Sequence, residues 1–92
     1  MDLNALAIEL LESIMYSGYG EYTTMVDGTE VQISYEVDIW EGKQEETTGY
    51  RPMKIMWIYI EFAAAYYRDS EEDLTDVLQK ELDHLIKNGY EI

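Results

Sequence analysis

The sequence predicts an α+β fold in the order αβββα, a three-stranded antiparallel sheet with two helices packed on one face. Three observations predict it. Apolar residues recur at helical spacing near both ends of the chain, strict alternation replaces that spacing in the middle, and an Asp-Gly pair separates two strand-like segments. The 92 residues suit one domain, 1–92. Their 47% apolar content is enough for a modest core, which sets the chain apart from a disordered acidic tail despite a net charge of −14.

The first helix is expected from Asp2 to about Tyr16. Leu3, Leu6, Ala7, Leu10 and Ile14 fall on one face, widened by Ile8, Leu11 and Met15. So wide a stripe suits a buried core, with a dimer seam as the alternative. Asp2 is placed to cap the helix, and Gly18 and Gly20 to end it.

The period then falls to two. Val31, Ile33, Tyr35, Val37 and Ile39 alternate with Gln32, Ser34, Glu36 and Asp38, the pattern of a half-buried strand. Upstream, Gly20 to Val26 is rich in Tyr and Thr and suits a partner strand, with Asp27-Gly28 as the turn of the hairpin. Gly42 to Pro52 is polar and reads as a loop.

A third strand is expected from Met53 to about Ala63. Lys54, Met56, Ile58, Ile60 and Phe62 would form one face, and Met53, Ile55, Trp57, Tyr59 and Glu61 the other. Ala63-Ala64-Ala65 has weak strand propensity, which places the end there. The last helix is expected from Glu71 to Lys87. Ser70 and Asp73 approximate a capping box, and Leu74, Val77, Leu78, Leu82, Leu85 and Ile86 mark the buried face. Gly89 is the stop signal. A strand apolar on one side and two amphipathic helices need a common surface to bury their stripes.

This element order resembles that of double-stranded-RNA-binding domains. The likeness is one of order alone. Those domains meet phosphate with basic residues at the start of the second helix. Here that position holds Glu71, Glu72 and Asp73, so nothing functional carries across.

Composition excludes more than it assigns. Twenty acids against six bases argue against direct contact with nucleic acid or an anionic membrane, both of which need a basic footprint. The absence of cysteine removes disulfides, thiolate metal sites and thiol catalysis. The N-terminus lacks the positive start of a secretory signal, and the apolar run from Met53 to Tyr67 is too short to span a bilayer, so a cytoplasmic protein is expected. His84 is the only histidine, and no catalytic or phosphate-binding motif is present. Glu81 and His84 share a helix face at Glu-x-x-His spacing, but di-iron bundles need two such motifs and more glutamates. No catalytic residue, metal site or cofactor is therefore expected.

Charge is unevenly spread. Eight acids and one base lie between Glu21 and Glu46, and seven acids and one base between Asp69 and Asp83. The plain reading is solubility and protection of sheet edges. The functional reading is a decoy for a basic partner, since Glu36 and Asp38 repeat at about 7 Å along one strand face. In size, acidity and compactness the chain resembles phage-borne protein inhibitors of restriction and CRISPR complexes that imitate DNA, although no motif is shared.

Aromatic content adds a second feature: nine tyrosines, two tryptophans and one phenylalanine. Tyr and Trp are enriched where proteins meet. With Met56, Ile58, Ile60 and Phe62 facing the helices, Trp57 and Tyr59 fall on the opposite sheet face. Trp40 shares the parity of Glu30, Glu36 and Asp38 and joins them. This patch docks a partner, is covered by a third layer such as the tail Tyr90-Glu91-Ile92 folding back, or is simply part-exposed.

The expected function is thus a non-enzymatic interaction protein engaging a basic protein surface, such as that of a nucleic-acid-binding complex, through Glu30, Glu36, Asp38, Trp40, Trp57 and Tyr59. A symmetric homodimer through the Trp40, Trp57 and Tyr59 face is also expected, since monomers rarely leave large apolar patches in water. The alternative is a small dimeric enzyme or ligand-binding subunit with its site at the subunit interface, where Tyr, Asp and His84 would converge in a deep cleft.

Overall fold

The computed structural model describes residues 1–43, 46–49 and 53–89. Part of the expected 42–52 loop and the Tyr90-Glu91-Ile92 tail therefore lie outside the described residues. The elements are α1 (Leu3–Ser13), β1 (Gly18–Val26), β2 (Thr29–Glu41), β3 (Met53–Tyr66), β4 (Glu71–Asp73) and α2 (Thr75–Lys87). The fold is α+β. Its sheet has four antiparallel strands in the order β1-β2-β3-β4 rather than three.

The α1 helix begins as its sequence dictates. Asp2 is extended, and its carboxylate accepts the Ala5 N–H at 3.1 Å, satisfying one of the helix's orphan donors. The helix ends at Ser13 rather than Tyr16. Ile14 turns extended, which keeps its side chain in the core and frees Met15 to Ser17 to climb to the sheet. There the Ser17 hydroxyl accepts the Ile39 N–H at 2.9 Å and ties the connection to β2.

The β1–β2 hairpin closes through Asp27 (φ 50°) and Gly28 (φ 79°), with Val26 paired to Thr29. Positive φ at both central residues matches the right-handed twist of the flanking strands. Gly20 lies opposite Tyr35, whose ring packs over it: a Cβ at position 20 would sit 2.5 Å from the ring. The large side chain of one strand thus fills the space left by the glycine of the other.

Pairing between β2 and β3 runs from Glu30↔Tyr66 to Glu41↔Met53 and slips twice. Trp57 faces Asp38 while Ile55 faces Ile39, leaving Met56 without a partner on β2; Phe62 faces Ser34 while Ile60 faces Tyr35, leaving Glu61 without one. Each extra residue is a β-bulge and resets which side chains point inward. The uninterrupted alternation expected for β3 is therefore corrected at both ends. Ile55 joins Ile58 and Ile60 in the core, whereas Met56 and Phe62 are exposed.

The β3 strand also runs past Ala63 to Tyr66, because the alanine run takes a strand on each side. Ala63, Ala64 and Ala65 are fully buried; β2 pairs with all three, and the short β4 pairs with Ala64 and Ala65. The segment expected to open the last helix is this β4, and α2 starts at Thr75. The Asp73 carboxylate accepts the Thr75 N–H at 2.8 Å, and hydrogen bonding to Thr75 holds the Asp73 carboxyl below its usual value.

One core cluster joins Leu6, Leu10, Leu11 and Ile14 with Leu74, Leu78 and Leu82, and both sets with Val31, Ile33, Val37, Ile55, Ile58 and Ile60. Val77 departs from the expected helix face and is 43% exposed. Three polar side chains tie helices to strands. Glu9 on α1 accepts the hydroxyls of Tyr22 and Thr24 on β1, each at 2.7 Å. Gln79 on α2 accepts the Ile60 N–H at 2.7 Å and donates to the Ile58 carbonyl at 2.9 Å. Thr75 Oγ1 accepts the Ala63 N–H at 3.1 Å, and the Leu74 N–H donates to the Ala63 carbonyl at 2.8 Å. Where β4 stops, side chains of α2 take over the hydrogen bonds a longer strand would have made.

The Glu9 contact has a titration consequence. Its hydrogen bond, then burial, raise the Tyr22 hydroxyl above the ordinary value. A raised folded-state value contributes stability below about pH 10 that is lost as pH rises through it. Ultraviolet titration should show tyrosines ionising late, and Tyr22→Phe should remove one of these. Loss of a normally titrating tyrosine instead would contradict the assignment.

Candidate functional site

The sheet buries one face and exposes the other. Along β1 the residues Tyr19, Glu21, Thr23 and Met25 are exposed, while Tyr22 and Val26 pack against the core. Along β2 the residues Glu30, Gln32, Ser34, Glu36, Asp38 and Trp40 share the parity opposite to Val31, Ile33 and Val37. Trp57 and Tyr59 of β3 face the same side by simple alternation, and the bulge at Glu61 brings Phe62 to join them.

Cross-strand register then interleaves acids with aromatics. Glu36 stands between Tyr19 on β1 and Tyr59 on β3. Asp38 is opposite Trp57, Glu30 is flanked by Met25 and Tyr66, and Ser34 is flanked by Glu21 and Phe62. Trp40 is opposite Lys54, which places one base at this end of the face. Side chains directly opposite across strands have Cβ atoms about 5 Å apart, close enough to act on one partner group together. Trp40 is 53% exposed, Trp57 46% and Tyr59 58%.

The six residues expected at the site therefore stand on one face. Tyr19, Glu21 and Phe62 belong to it as well and were not legible. Tyr19 lies before the expected start of β1, although its spacing from Glu21 fits the alternation. Phe62 has the wrong parity unless the bulge at Glu61 is known.

An open depression of about 340 Å³ lies at the β1 side, lined by Tyr19, Gly20, Glu21, Ser34, Tyr35 and Glu61. Burial raises the Tyr35 hydroxyl above its ordinary value. His84 is exposed on α2, beside the Asn88 amide at 3.2 Å from Nδ1. Its helix neighbour Glu81 instead accepts the Asn4 amide at 2.8 Å. Among the described residues no three His, Asp or Glu side chains stand close enough to hold a metal ion, and no helix is long and apolar enough to cross a membrane. Against this geometry, no protein-family model, no characterised protein and no solved structure matches the chain.

Proposed function

We propose that this is a non-enzymatic interaction protein whose exposed sheet face engages a basic partner, in the manner of a nucleic-acid-imitating inhibitor. The observation that carries the reading is the interleaving of Glu36 and Asp38 with Tyr19, Trp57 and Tyr59 on that face. The core shared by α1 and α2 supports placing both helices on the opposite face, which leaves this one for contact. An arginine suits such a surface: its guanidinium stacks on an aromatic ring and pairs with a carboxylate at once, and lysine does this less well.

Overall charge density supports the reading too. The molecule measures 54 × 22 × 21 Å and carries a net charge of −14. That is about one net charge per 4 Å of length, roughly half the axial charge density of duplex DNA, which carries one charge per ~1.7 Å with both strands counted.

Titration with a short oligoarginine peptide tests this. Binding should exceed that of oligolysine and weaken steeply with salt. Glu36→Gln with Asp38→Asn should chiefly slow association, since peripheral charges steer encounter, while leaving the fold intact or slightly firmer. Trp57→Ala should chiefly speed dissociation if the ring anchors the contact. Binding indifferent to salt and to all three substitutions would end the proposal and leave the acidity as a matter of solubility.

A further inference from the structure

The two edges of the sheet are treated differently. At the β3–β4 edge, β4 is only three residues long and wholly acidic, and Gln79 and Thr75 occupy backbone groups of β3 beyond it. Brevity, charge and covering side chains are the usual means of preventing strand addition. Among the described residues the β1 edge is neither short nor covered in this way, and it is charged at a single position. It is nine residues long, contains neither Lys nor Pro, and carries Glu21 as its one charge. None of its residues is buried, so even its inward side chains are reached by solvent. An edge strand presents alternate N–H and C=O groups away from its neighbour.

We propose that β1 pairs antiparallel with β1 of a second copy, joining two four-stranded sheets into one of eight strands about a twofold axis. Strand length and charge select the register. In a twofold antiparallel pair, opposed residues must share a face, so the axis passes through a residue. Full overlap of Gly18–Val26 places it at Tyr22. Glu21 then faces Thr23 of the other copy, not the second Glu21. Tyr19, 77% exposed, faces Met25, 63% exposed, on both sides of the axis, and sulfur–aromatic contact of this kind is favourable. The seam expected from sequence, around Trp40, Trp57 and Tyr59, stays free, so this inference stands whether or not that face binds a basic partner.

The opposing force is repulsion between two chains of −14. Sedimentation of the full chain should therefore show a monomer–dimer equilibrium that tightens with salt. Thr23→Lys, which sets a cation against Glu21 of the other copy twice per dimer, should tighten it about tenfold. Thr23→Glu should weaken it about tenfold, from cross-strand pair strengths. Gln32→Lys and Gln32→Glu change the net charge equally one strand further in and should shift it far less. Because the chain has no cysteine, mixed Glu21→Cys and Thr23→Cys variants should form the 21–23 cross-link faster than either homodimer. A monomer at every concentration and salt would overturn the proposal. So would equal responses at positions 23 and 32, or a dimer that forms no cross-link at β1.

Discussion

Leu78→Ala should destabilise the fold by about 3 kcal/mol, the cost of removing a fully buried leucine whose site collapses only in part. A chain of this length holds about 5–14 kcal/mol in all, so the loss is a large share. Leu78 lies in the cluster that joins α1, α2 and the inner sheet residues. Denaturant titration should lower the midpoint at unchanged slope. Val77→Ala, one residue away but 43% exposed, should move it by no more than about 0.5 kcal/mol. Equal losses at the two positions would mean that α2 is seated differently.

The second large effect is expected at Gln79. Its amide holds the Ile60 N–H at 2.7 Å and the Ile58 carbonyl at 2.9 Å, both partly buried. Gln79→Leu keeps the volume but leaves both groups unpaired, at a cost of about 2 kcal/mol. The readout specific to this role is amide hydrogen exchange: Ile60 should lose protection, while Ile33 in the interior of the sheet should change only with global stability. A variant that loses stability with Ile60 still protected would show that another group closes this edge.

The parts of the fold legible in the sequence were those with a local cause. The Asp27-Gly28 turn requires positive φ twice, and few residue pairs other than Asp-Gly or Asn-Gly supply it readily. The β2 alternation has a polar residue at nearly every second place, so only one register buries the apolar set. The rest of the fold depends on neighbours. In β3 both parities are apolar, so the extra residues Met56 and Glu61 leave no trace in the pattern, and their bulges are set by pairing with β2. The Glu71–Asp73 segment reads as a helix start because acids favour that position. It becomes a strand because Ala64 to Tyr66 offer an unpaired backbone edge. The same division applies to the candidate face. Glu36, Asp38, Trp40, Trp57 and Tyr59 follow from alternation within one strand or between the bulges, whereas Phe62 lies beyond one.

The paired slips in β3 bear on how this strand tolerates changes in length. Loss of Met56 would leave Ile55 opposite Ile39 and Trp57 opposite Asp38, as now, with the bulge erased and the strand locally straighter; loss of Glu61 would do the same for Ile60 and Phe62. Loss of Tyr59, between them, would turn one flanking segment inside out unless a compensating residue were added. Two positions in the interior of the sheet are thus places where lineages of this protein could differ by one residue without exchanging the wet and dry sides of the strand.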